Sequence, residues 1–170
     1  MDIHRVKPEA GPFFVAIGAS GSDGLSDIKD LLSELPKYLQ AIVLVVLHRP
    51  SDRVSHLREI LGKWSNMPVL IADEDDVFHV GNCYIGQPDA HLALAARSNV
   101  DLVEGAGHIH RGQTVDILFN SVAVHAQSRA IGIVLSGALS DGSRGLAAIA
   151  QPVVPRWFSP RPARSKLGCL

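Results

Sequence analysis

Two kinds of apolar pattern alternate along this chain. Short runs that are apolar at every position are followed by stretches with apolar residues three or four apart. FFVAIG (Phe13 to Gly18) is a continuous run that ends at glycine and predicts a buried strand. Leu25, Ile28, Leu31, Leu32 and Leu35 then recur at helical spacing, and Pro36 closes that helix. AIVLVVL (Ala41 to Leu47) predicts a second buried strand. Strand, helix and strand, with both strands apolar throughout, imply a parallel sheet covered on both faces.

The same pattern continues to residue 150. His56 to Trp64 predicts a helix and Met67 to Ala72 a third strand. DEDD, Asp73 to Asp76, reads as a solvated loop. Runs around Cys83 and Leu92, separated by QPDA, predict a hairpin. Thr114 to Ala126 predicts a helix with Val115, Leu118, Phe119, Val122 and Val124 mostly inward. AIGIVLSG (Ala130 to Gly137) predicts another buried strand, and Asp141 is an N-cap-type residue opening a last helix. The expected fold is α/β: a doubly wound, mainly parallel, Rossmann-like three-layer sheet with a small hairpin.

Composition narrows the picture. At 170 residues with 46% hydrophobic and 19% charged residues, the chain is long enough and apolar enough for one domain with a core. A net charge of -1 gives no reason to expect a nucleic-acid partner. Cys83 and Cys169 have no metal-type spacing and form no disulfide framework, which fits a cytoplasmic, reducing compartment. The first twelve residues lack the apolar core of a signal peptide and read as a leader. AIVLVVL is too short to span a membrane. Residues 151–170 hold four of the ten prolines and four basic residues without an acid, and read as a poorly ordered tail. The domain expected between leader and tail is 13–150.

In a doubly wound sheet, function collects at the carboxyl ends of the strands. Ser20 follows the first strand, His48 the second, and Asp141 the strand before the last helix. These are the parts of a nucleophilic relay, in which a base activates the hydroxyl and an acid orients the base. Backbone N–H groups at the turn beside Ser20 offer an oxyanion site. Each residue also has a plainer reading: Ser20 as a turn or N-cap serine, His48 as a loop residue, Asp141 as a helix cap. Dinucleotide binding is a further alternative for VAIGASGSDGL. However, Gly18, Gly21 and Gly24 do not have G-x-G-x-x-G spacing, and the second strand ends in His48, not in an acid. His108 and His110, with His79 and His91 upstream, raise a metal site as a weaker alternative.

At these residues the chain resembles the catalytic domain of the chemotaxis protein-glutamate methylesterases, the CheB family. IGAS (Ile17 to Ser20) is similar to the family's nucleophile turn, and VLVVLHRP (Val43 to Pro50) to its strand and histidine. YIGQPDAHL (Tyr84 to Leu92), HRGQTVDILFNSVA (His110 to Ala123) and IGIVLSGALSDGSRGLAAI (Ile131 to Ile149) match further motifs in order. The resemblance implies a serine hydrolase of receptor glutamate γ-methyl esters that also deamidates particular glutamines. It implies Ser20 as nucleophile, His48 as base, Asp141 as orienting acid, and backbone amides near Gly21 and Ala138 as oxyanion hole. It implies no metal or organic cofactor. Its implied partners are the cytoplasmic domains of methyl-accepting chemoreceptors and a separate response-regulator and kinase system.

The chain departs from the family pattern at Ser22-Asp23, where glycine is usual, at Ala138-Leu139, where Met-Gly is usual, and at Leu47. The family's last strand and helices are expected to be missing after Ala150, and a receiver domain ahead of the first strand is expected to be absent. A catalytically impaired relative that acts as a binding module therefore stands as an alternative to the active enzyme.

Overall fold

The computed structural model describes residues 11–48, 56–87, 90–104, 112–135 and 141–151. The expected leader up to residue 10, the tail from residue 152, and His108, His110, Ala138 and Cys169 lie outside the described residues.

β1 (Phe13–Ser20) leads directly into α1 (Gly21–Glu34), and β2 (Ala41–His48) follows. The two strands pair in parallel in unbroken register, from Phe13 opposite Ala41 to Ser20 opposite His48. α2 (Leu57–Gly62), β3 (Val69–Ile71) and β4 (Cys83–Ile85) come next. β5 (Ala90–Leu94) and β6 (Val100–Glu104) form a separate antiparallel pair. α3 (Thr114–Ala126), β7 (Ala130–Val134) and α4 (Ser143–Ala150) complete the described chain. Among the described residues the main sheet has five strands in the order β3-β4-β2-β1-β7, and every pairing in it is parallel. No helix among them is long and apolar enough to cross a membrane.

Strand parity divides the core in two. Val15, Ile17, Val43, Val45 and Ile85 face α1 and α2, where they meet Ile28, Leu32, Leu57 and Leu61. Phe14, Ala16, Ile42, Leu44 and Val46 face the other way, toward Leu118, Phe119 and Val122 of α3 and Leu92 and Leu94 of β5. Both faces of β1 and β2 are covered, so these strands have no polar alternation. The run from Ala130 is not the buried strand expected: β7 lies at an edge of the sheet among the described residues, with Ile131 and Val134 nearly half exposed. Tyr84 sits in the second cluster with its ring edge-on to Phe78 at 4.8 Å. Its hydroxyl accepts from the His79 N–H at 3.0 Å, which satisfies the polar tip of an otherwise buried ring.

Two further expectations are corrected here. The runs around Cys83 and Leu92 do not pair with each other. Cys83–Ile85 lies in the main sheet between β2 and β3, and the hairpin partner of Ala90–Leu94 is Val100–Glu104. Cys83, Tyr84 and Ile85 are all buried, which suits an interior parallel strand and not a two-stranded hairpin. Val124 is 64% exposed, not inward, because two helical steps beyond buried Val122 carry it to the opposite side of α3.

Candidate functional site

β1 lies next to both β2 and β7, so the chain reverses its direction of travel across the sheet at β1. A crevice at the carboxyl end of such a switch point is the usual ligand site of an open α/β sheet. Ser20 is the last residue of β1 and His48 the last of β2, and the two are register partners. Neighbouring strands run about 4.8 Å apart, and paired residues share a face. Ser20 continues the Phe14, Ala16 parity and His48 continues the Ile42, Leu44, Val46 parity, so both belong to the α3 face of the sheet. Both are half-buried.

Ser20 occupies the N-cap position of α1 in extended geometry, yet its side chain makes no capping bond. The plain N-cap role is therefore unfilled. Gly21, immediately after it, has φ +70, and a Cβ there would meet nothing within 4 Å. The backbone conformation, not crowding, calls for glycine at this bend. Ser22 and Asp23 form the exposed first turn of α1, where an acid is favourable at the positive end of the helix.

Asp141 arrives from β7. The expectation that it caps the last helix is corrected: the N-cap of α4 is Gly142, and Asp141 instead holds the start of α3. Its Oδ2 accepts the Val115 N–H and its Oδ1 the Asp116 N–H, each at 2.9 Å, and the residue is buried. Two N–H groups of a helix N-terminus offset the cost of burying a carboxylate. α3 comes this close to β1 because residue 18 is glycine. A Cβ there would lie 2.2 Å from Cγ1 of Val115.

Asp141 thus sits on the α3 side of the sheet, the face to which Ser20 and His48 belong. Among the described residues no direct hydrogen bond links Ser20 to His48 or His48 to Asp141; catalytic bonds are often long before substrate arrives. A groove of about 580 Å³ beside β3, lined by Arg58, Leu70, Ile71 and Tyr84 among others, includes none of the three. His91 lies on β5, its Nδ1 3.1 Å from Thr114 Oγ1, and no cluster of three metal-type side chains forms among the described residues.

The family model for CheB methylesterase matches residues 15–154. The chain belongs to the CheB methylesterase family. The protein-glutamate methylesterase/protein-glutamine glutaminase of Salmonella typhi is 32% identical over 151 residues, 84% of this chain and 43% of that protein. The protein of the same name from Photorhabdus laumondii is 36% identical over 136 residues, 78% of this chain and 38% of that protein. The chain therefore spans less than half the length of these curated relatives. The crystal structure of the Thermotoga maritima CheB methylesterase catalytic domain superposes with a TM-score of 0.71 at 26% identity. It covers 82% of this chain and 75% of that one.

Pattern reading passed over Asp116, a buried carboxylate in the first turn of α3. The available signal was an acid among the apolar residues of VDILF.

Proposed function

We propose that this chain hydrolyses glutamate γ-methyl esters on the cytoplasmic helices of chemoreceptors, and deamidates glutamines at such sites, with Ser20, His48 and Asp141 as its catalytic residues. The carrying observation is the register pairing of Ser20 with His48 at the carboxyl ends of β1 and β2. The names of the relatives, protein-glutamate methylesterase/protein-glutamine glutaminase, supply the substrate class.

In this reading His48 takes the proton of the Ser20 hydroxyl as Oγ attacks the γ-carbonyl carbon. The oxyanion that forms is held by backbone N–H groups, with Gly21 and Ala138 as the assigned donors. The bond to the methoxy oxygen then breaks, His48 returns the proton, and methanol leaves an acyl-serine behind. His48 next deprotonates a water that attacks the acyl carbon. Glutamate is released and the Ser20 hydroxyl restored. With a glutamine substrate the leaving group is ammonia. Asp141 orients the imidazole and stabilises its protonated form. A cytoplasmic location, and regulation by a separate response-regulator and kinase system, belong to the same proposal.

The test is methanol release from methyl-labelled chemoreceptor by the full chain. Wild type is expected to release methanol and Ser20→Ala to reduce release to background. Equal release by the two proteins would refute the assignment.

A further inference from the structure

The starts of α3 and α4 exchange carboxylates. Neither helix is capped by its own N-cap side chain: Gln113 makes no such bond, and Gly142 has no side chain to offer. Asp141, just before α4, accepts two N–H groups of α3. Asp116, in the first turn of α3, accepts the Gly145 N–H of α4 at 2.7 Å through Oδ1 and the Arg144 Nε–H at 3.1 Å through Oδ2. Asp116 is 4% exposed and Asp141 9%.

These contacts close a ring. It runs from the Asp141 carboxylate to the α3 backbone, through the Asp116 carboxylate to the first turn of α4, and along four residues of backbone to Asp141 again. Hydrogen bonds to carboxylates are about twice as strong as neutral ones, and each carboxylate also meets the positive end of the helix it grips. Within the ring, Asp116 is the group that holds the segment carrying Asp141.

We propose that Asp116 is a positioning residue for the reaction: by fixing the first turn of α4 it sets the place of the Asp141 carboxylate, and through Asp141 the orientation of His48. This rests on the roles given above to Ser20, His48 and Asp141.

A double-mutant cycle on methanol release tests it. Turnover is expressed per competent site, with sites counted by a serine-directed fluorophosphonate. Asp116→Ala is expected to lower kcat by about 10- to 100-fold and change KM by less than about twofold. Asp116→Asn keeps an acceptor for the Gly145 N–H and is expected to retain more activity than the alanine variant. In an Asp141→Asn background, Asp116→Ala is expected to cost less than about threefold, because the group it positions has already been altered.

Equal losses in both backgrounds, or an unchanged kcat per competent site, would overturn the role. If Asp116→Ala does not fold, the cycle is read with Asp116→Asn. A loss of about threefold or more in wild type that vanishes in the Asp141→Asn background supports the role, and the same loss in both overturns it. Methanol release that survives Ser20→Ala would overturn the serine reading itself, and this role with it.

Discussion

Gly18→Ala adds one methyl group at the point where α3 meets β1. The ideal Cβ falls 2.2 Å from Cγ1 and 2.9 Å from Cγ2 of Val115. Carbon atoms pack at about 3.5–4.0 Å, so Val115 must retreat by about 1.5 Å. A valine in a helix holds essentially one χ1 rotamer, so the side chain cannot simply swing away and the first turn of α3 has to move. Overpacking of this kind costs about 1–3 kcal/mol, less up to about 1 kcal/mol regained from replacing a glycine inside a strand. At about 2–4 °C per kcal/mol, the midpoint of thermal unfolding should fall by several degrees.

The consequence for the site is larger. The Val115 N–H is bonded to Asp141, so the carboxylate moves with the turn. A misplacement of about 1 Å can cost on the order of 100-fold in rate, so turnover per folded molecule should fall by about tenfold or more. The assay pairs thermal unfolding with methanol release for Gly18→Ala, Val115→Ala and the double variant. Val115→Ala removes both clashing carbons, so the double variant should be more stable than the sum of the single losses by about 1 kcal/mol or more. Additive losses, or a Gly18→Ala protein with native stability and rate, would refute the reasoning.

Burial pushes the Cys83 thiol up to about 12 from 9.0. The folded protein then keeps the thiol neutral while the unfolded chain ionises, so stability is full below about pH 9 and falls between about 9 and 12, by up to about 1.4 kcal/mol per unit. Chemical unfolding of wild type and Cys83→Ala across this range should show a steeper alkaline loss in wild type, and parallel curves would contradict the burial argument. Phe119→Ala, which empties a fully buried position of the α3-side core, should cost about 3–5 kcal/mol in urea unfolding. Arg144→Ala should cost less than about 1 kcal/mol, because the Arg144 side chain is 71% exposed and its pairing with Asp116 is screened. Gly21→Ala should lose about 1–2 kcal/mol from backbone strain alone, measurable by the same unfolding.

The sequence pattern was most informative where contacts are local or where burial dictates composition. Continuous apolar runs identified β1 and β2 because a strand covered on both faces has no polar side. Turn residues then placed Ser20 and His48 at the ends of those strands. The pattern failed where the deciding partner is distant in sequence. Nothing in CYI separates an interior parallel strand from half of a hairpin; the difference lies in Val43–Val45 and Val69–Ile71, to which it pairs. β6 escaped because VDLVE is short and part charged.

Asp141 is the clearest case. An aspartate before a helix reads as that helix's own cap, since local capping chemistry is all the sequence displays. Its bonds go instead to Val115 and Asp116, whose helix begins 27 residues earlier in the chain. Asp116 was hidden for the same reason, because its partner Gly145 lies across the helix pair. The family motifs carried the reading past these gaps, since their order along the chain does not depend on knowing which element pairs with which.

The central claim is that Ser20 is a nucleophile activated by its register partner His48. It is tested most directly by reacting the full chain with a serine-directed fluorophosphonate and locating the adduct by peptide mass spectrometry. One adduct per chain, at Ser20, forming at least about 100-fold more slowly in His48→Ala, is the predicted result. No adduct at Ser20, or labelling at the same rate without His48, would contradict it.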